Sequence, residues 1–265
     1  MAFSHQINVY DKDLYQENIM VSTTQQVAII TGASRGIGAA IAERLARDGY
    51  TVLINYSHSE SEAEALVRKI QQTGGKALSA KADISNATAV AQLFATAEAA
   101  FGGVDVLVNN AGILSLSAIA DSDDEHFDRQ VAINLKGSFN GMREAAKRLK
   151  SGGRIVNFST SVVGLKLEKY GVYAATKAAV ETMTAILAKE LRGRQITVNA
   201  VAPGPTATDL FLNGKSAELI EKMAKMAPLE RLGTPEDIAA AVAFLVSEEG
   251  GWINGQVLRA NGGLI

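Results

Sequence analysis

The sequence predicts an α/β fold of one domain, in which helices cover both faces of a doubly wound parallel sheet. From residue 26 onward, short runs rich in β-branched residues alternate with amphipathic helical patterns. Strands of that kind are buried on both faces of a parallel sheet. No linker, repeat or low-complexity tract interrupts the alternation, so residues 26–265 are expected to form a single domain.

The predicted elements are seven strands and six main helices. The strands are Val27–Thr31, Thr51–Tyr56, Ala77–Ala80, Val106–Asn109, Ile155–Phe158, Thr197–Ala200 and Val257–Ala260. The helices are Gly38–Asp48, Glu62–Thr73, Ala87–Ala100, Phe127–Lys150, Ala174–Arg192 and Pro235–Val246. Right-handed crossovers then place helices on both sides of the sheet.

Residues 1–25 show neither a helical nor a strand period. They are predicted to be a flexible N-terminal arm or a short docking segment, with Met20 as an alternative natural start. The arm is polar and of mixed charge, without the apolar core of a signal peptide or the Arg-rich character of a transit peptide. A cytoplasmic location is therefore expected.

Composition argues against several classes of function. The formal net charge is -2, with basic residues scattered among acids, so neither nucleic acid nor an anionic membrane is expected as a partner. The chain has no cysteine, which excludes thiol nucleophiles and Cys-ligated zinc. Because His5, His58 and His126 lie near none of the candidate catalytic motifs in the sequence, no His-based triad or metal site is expected.

A glycine-rich turn, Thr31-Gly32-Ala33-Ser34-Arg35-Gly36-Ile37-Gly38, joins the first strand to a helix. Glycines there allow unusual backbone angles and close approach to a pyrophosphate, and the helix N-terminus offers free N–H groups. The alternative is that the glycines serve packing only. We predict a Rossmann-like cofactor site whose residues in this segment are Thr31, Gly32, Ser34, Arg35, Gly36, Ile37 and Gly38.

The end of the second strand bears on cofactor choice. It reads Asn55-Tyr56-Ser57, with no carboxylate before Glu60. An acidic residue there would select NAD(H) by accepting from the ribose 2′-hydroxyl and repelling a 2′-phosphate. Its absence, with Arg35 in the neighbouring turn, predicts that NADP(H) is preferred over NAD(H). Alternatively, Arg35 only covers the surface of the first helix.

From the glycine turn to the C-terminus, the sequence resembles the short-chain dehydrogenase/reductase family. Within it, the chain looks most like the β-ketoacyl-acyl-carrier-protein reductase branch and its stand-alone ketone-reductase relatives. The matching motifs, in order, are Thr31–Gly38, Asp83, Asn109-Asn110-Ala111-Gly112, Asn134, Ser161, Tyr173-x-x-x-Lys177, and Pro203-Gly204 followed by Thr206 and Thr208.

Tyr173 and Lys177 are the candidate proton donor and its partner. They are four residues apart in a helical pattern, so they project from one helix face. A nearby ammonium lowers the pKa of a phenol by ~1–3 units, which suits a general acid. The resemblance gives Lys177 a second role, hydrogen-bonding the hydroxyls of the nicotinamide ribose.

Ser161 is the candidate donor to the carbonyl oxygen. It closes the run Arg154–Thr160 at the sheet edge where ligands bind. Ser159 and Thr160 are alternatives from the same run. The resemblance favours Ser161, through Ser161-Val162-Val163-Gly164 and the twelve-residue step to Tyr173.

The resemblance assigns the remaining roles. Asn134 is expected to bend its helix and hold a water that relays protons to Lys177. Small residues at the end of the fourth strand are expected to leave room for adenosine and ribose, and the neighbourhood of Asp83 is expected to lie against the adenine. The chain is expected to turn under the nicotinamide, and the two threonines that follow this turn are expected to hold its carboxamide. These further cofactor residues are Asn109, Ala111, Gly112, Pro203, Gly204, Thr206 and Thr208.

The predicted substrate pocket is apolar. Leu165 and Leu167 could line it, and the Leu210–Leu212 segment is either a lid contact or simple helix packing. Tyr170 is rejected as a proton donor because position 174 is Ala, so no lysine follows it at helical spacing.

The predicted function is NADP(H)-dependent reduction of a ketone to a secondary alcohol by hydride transfer. The substrate is either a 3-oxoacyl thioester of acyl carrier protein or coenzyme A, or a free apolar ketone. The alternative is a non-catalytic NADP-binding regulator or scaffold of the same fold, against which the intact Tyr173/Lys177 pair argues. The resemblance implies a homotetramer. The basic residues that could dock a carrier, or simply be solvated, are Arg143, Lys147, Arg148, Lys189, Arg192 and Arg194.

Overall fold

The computed structural model describes residues 25–265 and confirms the predicted parallel sheet. The predicted arm, residues 1–25, lies outside the described residues except for Gln25. The strands are β1 (Val27–Ile30), β2 (Thr51–Tyr56), β3 (Lys76–Lys81), β4 (Val106–Asn109), β5 (Arg154–Phe158), β6 (Thr197–Pro203) and β7 (Val257–Ala260). Each observed strand overlaps a predicted one.

The helices match the predicted ones closely but are more numerous. They are α1 (Gly36–Arg47), α2 (Glu60–Gln72), α3 (Ala87–Phe101), α4 (Asp124–Gln130), α5 (Ser138–Arg148), α6 (Val162–Leu165), α7 (Gly171–Glu190), α8 (Asp209–Leu212), α9 (Ala217–Met226) and α10 (Pro235–Val246). The predicted helix Phe127–Lys150 is divided, because a π-helical segment, Val131–Gly137, separates α4 from α5.

Two hydrophobic cores lie on the two faces of the sheet. One face packs against α1, α2 and α10, with Ile41 and Val242 fully buried. The other packs against α3, α5 and α7, with Phe94 fully buried. Strands buried on both faces explain why the sequence shows continuous apolar runs rather than alternation.

The strand order is β3-β2-β1-β4-β5-β6-β7. After β1 the chain moves first to β2 on one side, and β4 later pairs on the other side of β1. This reversal opens a crevice at the carboxyl ends of β1 and β4, where ligands bind in open α/β sheets. Within residues 25–265, no helix combines the length and the apolar character needed to cross a bilayer.

Candidate active site

A cavity of about 560 Å³ opens at the carboxyl ends of the strands. Its wall contains most of the predicted site residues: Gly32, Ser34, Arg35, Gly36, Ile37, Gly38, Asn55, Tyr56, Ser57, Asp83, Ala111, Gly112, Ser161, Tyr173, Lys177, Pro203, Gly204, Thr206 and Thr208. The structure therefore brings together motifs that are far apart in the sequence. Three predicted site residues, Thr31, Asn109 and Asn134, lie behind this wall.

The glycine turn between β1 and α1 fits a phosphate group. Gly32 and Gly36 have φ angles of 60° and 58°, which only glycine adopts without strain. A Cβ on Gly32 would lie 2.8 Å from the Ala111 Cα. Arg35 is the N-cap of α1 and provides no side-chain cap, so the first N–H groups of α1 stay available to an anion.

Thr31 supports this turn from behind. Its hydroxyl donates to the Val108 carbonyl at 3.3 Å and accepts from the Ala111 N–H at 3.1 Å. Thr31 is 3% exposed. Both hydrogen bonds hold the end of β1 against the end of β4. The predicted contact of Thr31 with the cofactor stays a prediction.

The two asparagines that end β4 face opposite ways, because successive strand residues alternate. Asn109 is buried, and its amide donates to Asn157 Oδ1 at 2.8 Å. Asn110, which the sequence analysis did not select, lies in the cavity wall and donates to the Thr31 and Gly32 carbonyls at 2.9 and 3.0 Å. Strand alternation could have identified Asn110 as the residue that faces the glycine turn.

Asn55 lines the cavity, but its side chain is fully engaged. Its Oδ1 accepts from the Gly32 N–H at 3.2 Å, and its Nδ2 donates to the carbonyls of Tyr56, Ala80 and Ala82. Asn55 is 1% exposed. Its polar atoms hold the glycine turn and the β2–β3 edge. The predicted contact of Asn55 with the cofactor stays a prediction.

The groups free to meet a 2′-phosphate lie nearby. Ser57, His58 and Ser59 follow β2 and line the cavity, as does the exposed Arg35. Among the described residues, Arg35 makes no ion pair within 4.0 Å. The pKa of Glu62 is lowered mainly by hydrogen bonds to its carboxylate and, to a smaller extent, by the charge of Arg35. The sequence analysis placed His58 away from the site, but pairing of β2 with β1 brings it to the cavity.

Asn134 sits at the centre of the π-helical segment and is fully buried. Its amide accepts from the Ile113 N–H at 2.8 Å and donates to the Ile113 carbonyl at 2.9 Å. The predicted bend of the helix at Asn134 coincides with this π-helical segment, and π-helical turns are frequent at functional sites. Both ends of the amide bond Ile113, so this side chain fixes the loop after β4. The predicted water relay stays a prediction.

Gly112 explains why the β4 loop and α7 can approach each other. A Cβ at Gly112 would lie 3.1 Å from Asn134 Oδ1 and 3.3 Å from Lys177 Nζ. Any side chain there would press on both groups. Asn134, Gly112 and Lys177 therefore form one packed unit beside the cavity.

Tyr173 and Lys177 lie one turn apart on α7, as the spacing predicts. The Lys177 ammonium is 5.9 Å from the centre of the Tyr173 ring and donates to the Phe158 carbonyl at 2.9 Å. Burial lowers the pKa of Lys177 to about 8. Burial raises the pKa of Tyr173 to about 12, although a hydrogen bond with the Thr160 side chain lowers it.

The direction of the Tyr173 shift is opposite to that expected from Lys177 alone. Loss of solvent around the phenol raises its pKa more than the hydrogen bond with Thr160 lowers it, while the Lys177 ammonium donates to the Phe158 carbonyl. Tyr173 is therefore protonated at neutral pH, as a proton donor must be.

Three consecutive hydroxyl residues end β5, and all three line the cavity. The Ser159 hydroxyl donates to Glu181 at 2.5 Å. The Ser161 hydroxyl donates to the Ala202 carbonyl at 3.2 Å and accepts from the Asn261 amide at 3.0 Å. Thr160 accepts from the Val162 N–H at 3.3 Å.

The turn after β6 forms another part of the wall. A Cβ on Gly204 would lie 2.8 Å from the Asn261 Cα, so glycine lets this turn pass close to the chain after β7. The Thr206 hydroxyl donates to the Gly204 carbonyl at 3.0 Å. Thr208 caps α8 by accepting from the Phe211 N–H at 3.4 Å, and this fixes the first residues of that segment.

Apolar side chains supply much of the remaining wall. They come from the loop after β4, from α6 and the loop that follows it, and from α8 and α9: Leu114, Val162, Leu165, Leu167, Leu210, Phe211 and Met223. Leu212 does not line the cavity. Tyr170, which the sequence analysis rejected as a proton donor, is part of this wall and packs edge-on against Tyr173 at 6.4 Å.

A family model described as enoyl-(acyl carrier protein) reductase matches residues 32–265. The chain is 50% identical over 250 residues to a short-chain type dehydrogenase/reductase of Picea abies, covering 91% of this chain and 92% of that protein. It is 48% identical over 255 residues to an NADPH-dependent aldehyde reductase 2, chloroplastic, of Arabidopsis thaliana, covering 91% and 94%. A solved short-chain dehydrogenase of Burkholderia cenocepacia in complex with NADP has a TM-score of 0.86 at 38% identity, covering 91% and 98%. The chain therefore belongs to the short-chain dehydrogenase/reductase family.

Proposed function

We propose that this protein reduces a free carbonyl compound to an alcohol, with NADP(H) as its preferred cofactor and Tyr173 as its proton donor. One observation carries the proposal: the Tyr173/Lys177 pair and the glycine turn before α1 line the same cavity. A non-catalytic NADP-binding protein would have no need for a phenol and an ammonium held together beside the cofactor site.

Different residues of the cavity wall would bind different groups of the cofactor. The glycine turn and the N-terminus of α1 would hold the diphosphate. Arg35, with Ser57 and the residues after it, would hold the 2′-phosphate. Lys177 would hold the nicotinamide ribose. When bound, the reduced nicotinamide supplies the hydride.

Tyr173 completes the reaction by donating its phenolic proton to the carbonyl oxygen. Reduction at neutral pH requires the protonated phenol, and burial raises the pKa of Tyr173 to about 12. The phenolate that forms lies on the same helix face as the Lys177 ammonium, which stabilises it by charge. The expected contribution of this acid is ~10²–10⁴ in rate.

The substrate we propose is a small ketone or aldehyde with an apolar substituent. The leucines, Phe211 and Met223 that line the cavity favour such a molecule. Docking of an acidic carrier protein gains little support from the candidate basic residues. Arg143, Lys147 and Arg148 pair with Glu144 or Glu98, and Arg194 bonds the Ala146 and Leu149 carbonyls.

A panel of carbonyl compounds tests this function directly. We expect the protein to oxidise NADPH with apolar ketones or aldehydes. The kcat/KM for these compounds should be higher than that for acetoacetyl-coenzyme A or acetoacetyl-acyl carrier protein. Absorbance at the nicotinamide band measures turnover. Failure to oxidise NADPH with every compound of the panel, despite measurable NADPH binding, would favour the non-catalytic alternative.

Arg35→Ala tests the cofactor assignment. A charge-assisted hydrogen bond contributes ~1.5–3 kcal/mol, or roughly a tenfold to hundredfold preference. We expect wild type to favour NADPH by that margin in kcat/KM, and Arg35→Ala to lose most of it with little change for NADH. Arg47→Ala, at the exposed far end of the same helix, is the control. Equal or better use of NADH by wild type would contradict the assignment.

We also propose the homotetramer that the sequence predicts. Large apolar side chains are exposed on the surface of the chain: Phe139 on α5 is 44% exposed, Ile186 on α7 is 50% exposed and Trp252 is 98% exposed. Association of identical subunits through these regions would cover them.

A further inference from the structure

We propose that His126 and Gln130 shape the substrate cavity by holding the backbone of Ser115, and so determine which carbonyl compounds fit beside Leu114. The inference rests on the proposed carbonyl reduction and assigns two positioning residues to it. Neither side chain lines the cavity itself. Both act through the chain segment that follows β4.

This segment is held by side chains rather than by a neighbouring strand. Asn134 Oδ1 accepts from the Ile113 N–H at 2.8 Å, and its Nδ2 donates to the Ile113 carbonyl at 2.9 Å. Two residues later, Gln130 Oε1 accepts from the Ser115 N–H at 3.4 Å, and His126 Nε2 lies 3.2 Å from the Ser115 carbonyl. Both backbone groups of Ile113 and of Ser115 therefore have a side-chain partner.

The three side chains that hold the segment lie in one row. His126 and Gln130 are on α4, and Asn134 is in the π-helical segment that follows it. Helical residues four apart lie one above the other on the same face. Leu114 lies between the two bonded residues and lines the cavity, so its position in the wall is set from both ends.

Leu114 lies close to the reacting groups. Gly112, two residues before it, lies against Lys177, because a Cβ on this glycine would be 3.3 Å from Lys177 Nζ. Two residues of chain span at most about 7 Å. A small displacement of Leu114 therefore changes the space available to a substrate beside Lys177 and Tyr173.

The hold on the segment is weaker at Ser115 than at Ile113. The two contacts of Ser115 measure 3.2 and 3.4 Å, whereas those of Ile113 measure 2.8 and 2.9 Å. His126 Nε2 also lies 3.2 Å from Gln130 Nε2. A nitrogen of neutral imidazole either donates or accepts, so it can serve the Ser115 carbonyl or the Gln130 amide but not both.

The other imidazole nitrogen indicates which of these partners is served. His126 Nδ1 is buried and has no hydrogen-bond partner within residues 25–265. Buried N–H groups without an acceptor are rarer in proteins than unpaired acceptors. This places the proton on Nε2, which then donates to the Ser115 carbonyl.

His126→Ala should widen the cavity at Leu114, because loss of the imidazole frees the Ser115 carbonyl. We expect kcat/KM for para-tert-butylbenzaldehyde to rise relative to that for benzaldehyde. The rise should be roughly tenfold, the lower end for one methylene group in an apolar pocket. KM for the aldehydes should carry most of the change, with kcat and the KM for NADPH near their wild-type values. Gln130→Leu should act in the same direction, because it removes the acceptor of the Ser115 N–H.

A rescue variant and a control separate positioning from a loss of stability. His126→Gln should restore the wild-type ratio of the two aldehydes, because its amide nitrogen stands as many bonds from Cβ as imidazole Nε2 and can donate to Ser115. Asp128→Ala is the control, since Asp128 is exposed on the same helix and its side chain has no ion pair among the described residues. Thermal melting of every variant measures stability, which a merely structural role would change without changing the ratio.

Leu114→Ala tests whether His126 acts through this leucine. Alone, Leu114→Ala should raise the same ratio as His126→Ala does. Combined with His126→Ala it should add little, because substitutions that act on one contact are not additive.

Two results would overturn the inference. One is a wild-type or lower ratio of the two aldehydes in both His126→Ala and Gln130→Leu. The other is full additivity of His126→Ala and Leu114→Ala. Failure of the proposed function has a different signature, since wild type would then reduce neither aldehyde. The ratio of the two Kd values for the NADPH complex, measured by nicotinamide fluorescence, would then test the cavity in place of kcat/KM.

Discussion

Replacing Tyr173 with phenylalanine should lower kcat by at least ~10²-fold, the lower end for a lost general acid. The phenol, which we propose as the proton donor, lies one helical turn from the Lys177 ammonium. Phenylalanine keeps the ring and its edge-on packing against Tyr170 at 6.4 Å. Folding and NADPH binding should therefore survive, and stopped-flow or steady-state kinetics on the purified variant measure the loss.

Tyr170→Phe is the matched control for this prediction. It removes a hydroxyl from a neighbouring tyrosine in the same cavity wall, but no lysine lies one turn beyond it. We expect a far smaller effect on kcat, with any change confined to KM. Near-wild-type turnover in Tyr173→Phe would remove Tyr173 as the proton donor. A comparable loss in both variants would mean that the effect is not specific to the Tyr173 hydroxyl.

The parts of the site that the sequence predicts well depend on spacing along the chain. Two residues four apart on a helix share a face whatever surrounds them, so Tyr173 and Lys177 could be paired in advance. The glycine turn is likewise a local feature, because positive φ at Gly32 and Gly36 is required by the turn itself. The parallel sheet follows from apolar runs separated by helices.

The parts that it predicts poorly depend on where side chains point at the end of a strand. The side chains of Asn55 and Asn109, at the ends of two strands, hydrogen-bond to other parts of the protein. For Asn109, the alternation of side chains along a strand could have predicted that it faces away from the glycine turn. At the end of β5 alternation fails, because Ser161 has already turned into helical backbone with φ -61° and ψ -18°. Only the tertiary structure shows that the Ser161 hydroxyl bonds the Ala202 carbonyl and the Asn261 amide.

Asn55 shows how strongly such a position constrains substitution. Asn55 is 1% exposed; its Oδ1 accepts one hydrogen bond, and the two hydrogens of its Nδ2 are shared among three carbonyl oxygens. Aspartate has nearly the same shape, but its carboxylate can only accept. It could keep the bond from the Gly32 N–H, but it would face the carbonyls of Tyr56, Ala80 and Ala82 with no hydrogen between them.

Asn55→Asp should therefore destabilise the fold rather than change cofactor preference. Leaving an uncompensated buried charge costs roughly 3–5 kcal/mol, which lowers Tm by on the order of 10 °C for a domain of this size. Burial raises the pKa of the new carboxyl, so the defect should be largest at neutral and higher pH. It should shrink as pH falls through that raised pKa, because the protonated acid regains one donor.

Asn86→Asp provides the matched control for this substitution. Asn86 is an exposed N-cap of α3 whose side chain only accepts, from the N–H groups of Thr88 and Ala89. A carboxylate can accept the same two bonds and suits the positive end of the helix, so Tm should stay the same or rise. Thermal melting of both variants at pH 7 and pH 5 decides between the two roles of Asn55. If Asn55→Asp melted like wild type and preferred NADH, the Asn55 side chain would have to be free to bind the ribose. Its hydrogen bonds to Gly32 and to the β2–β3 edge would then not be needed for stability.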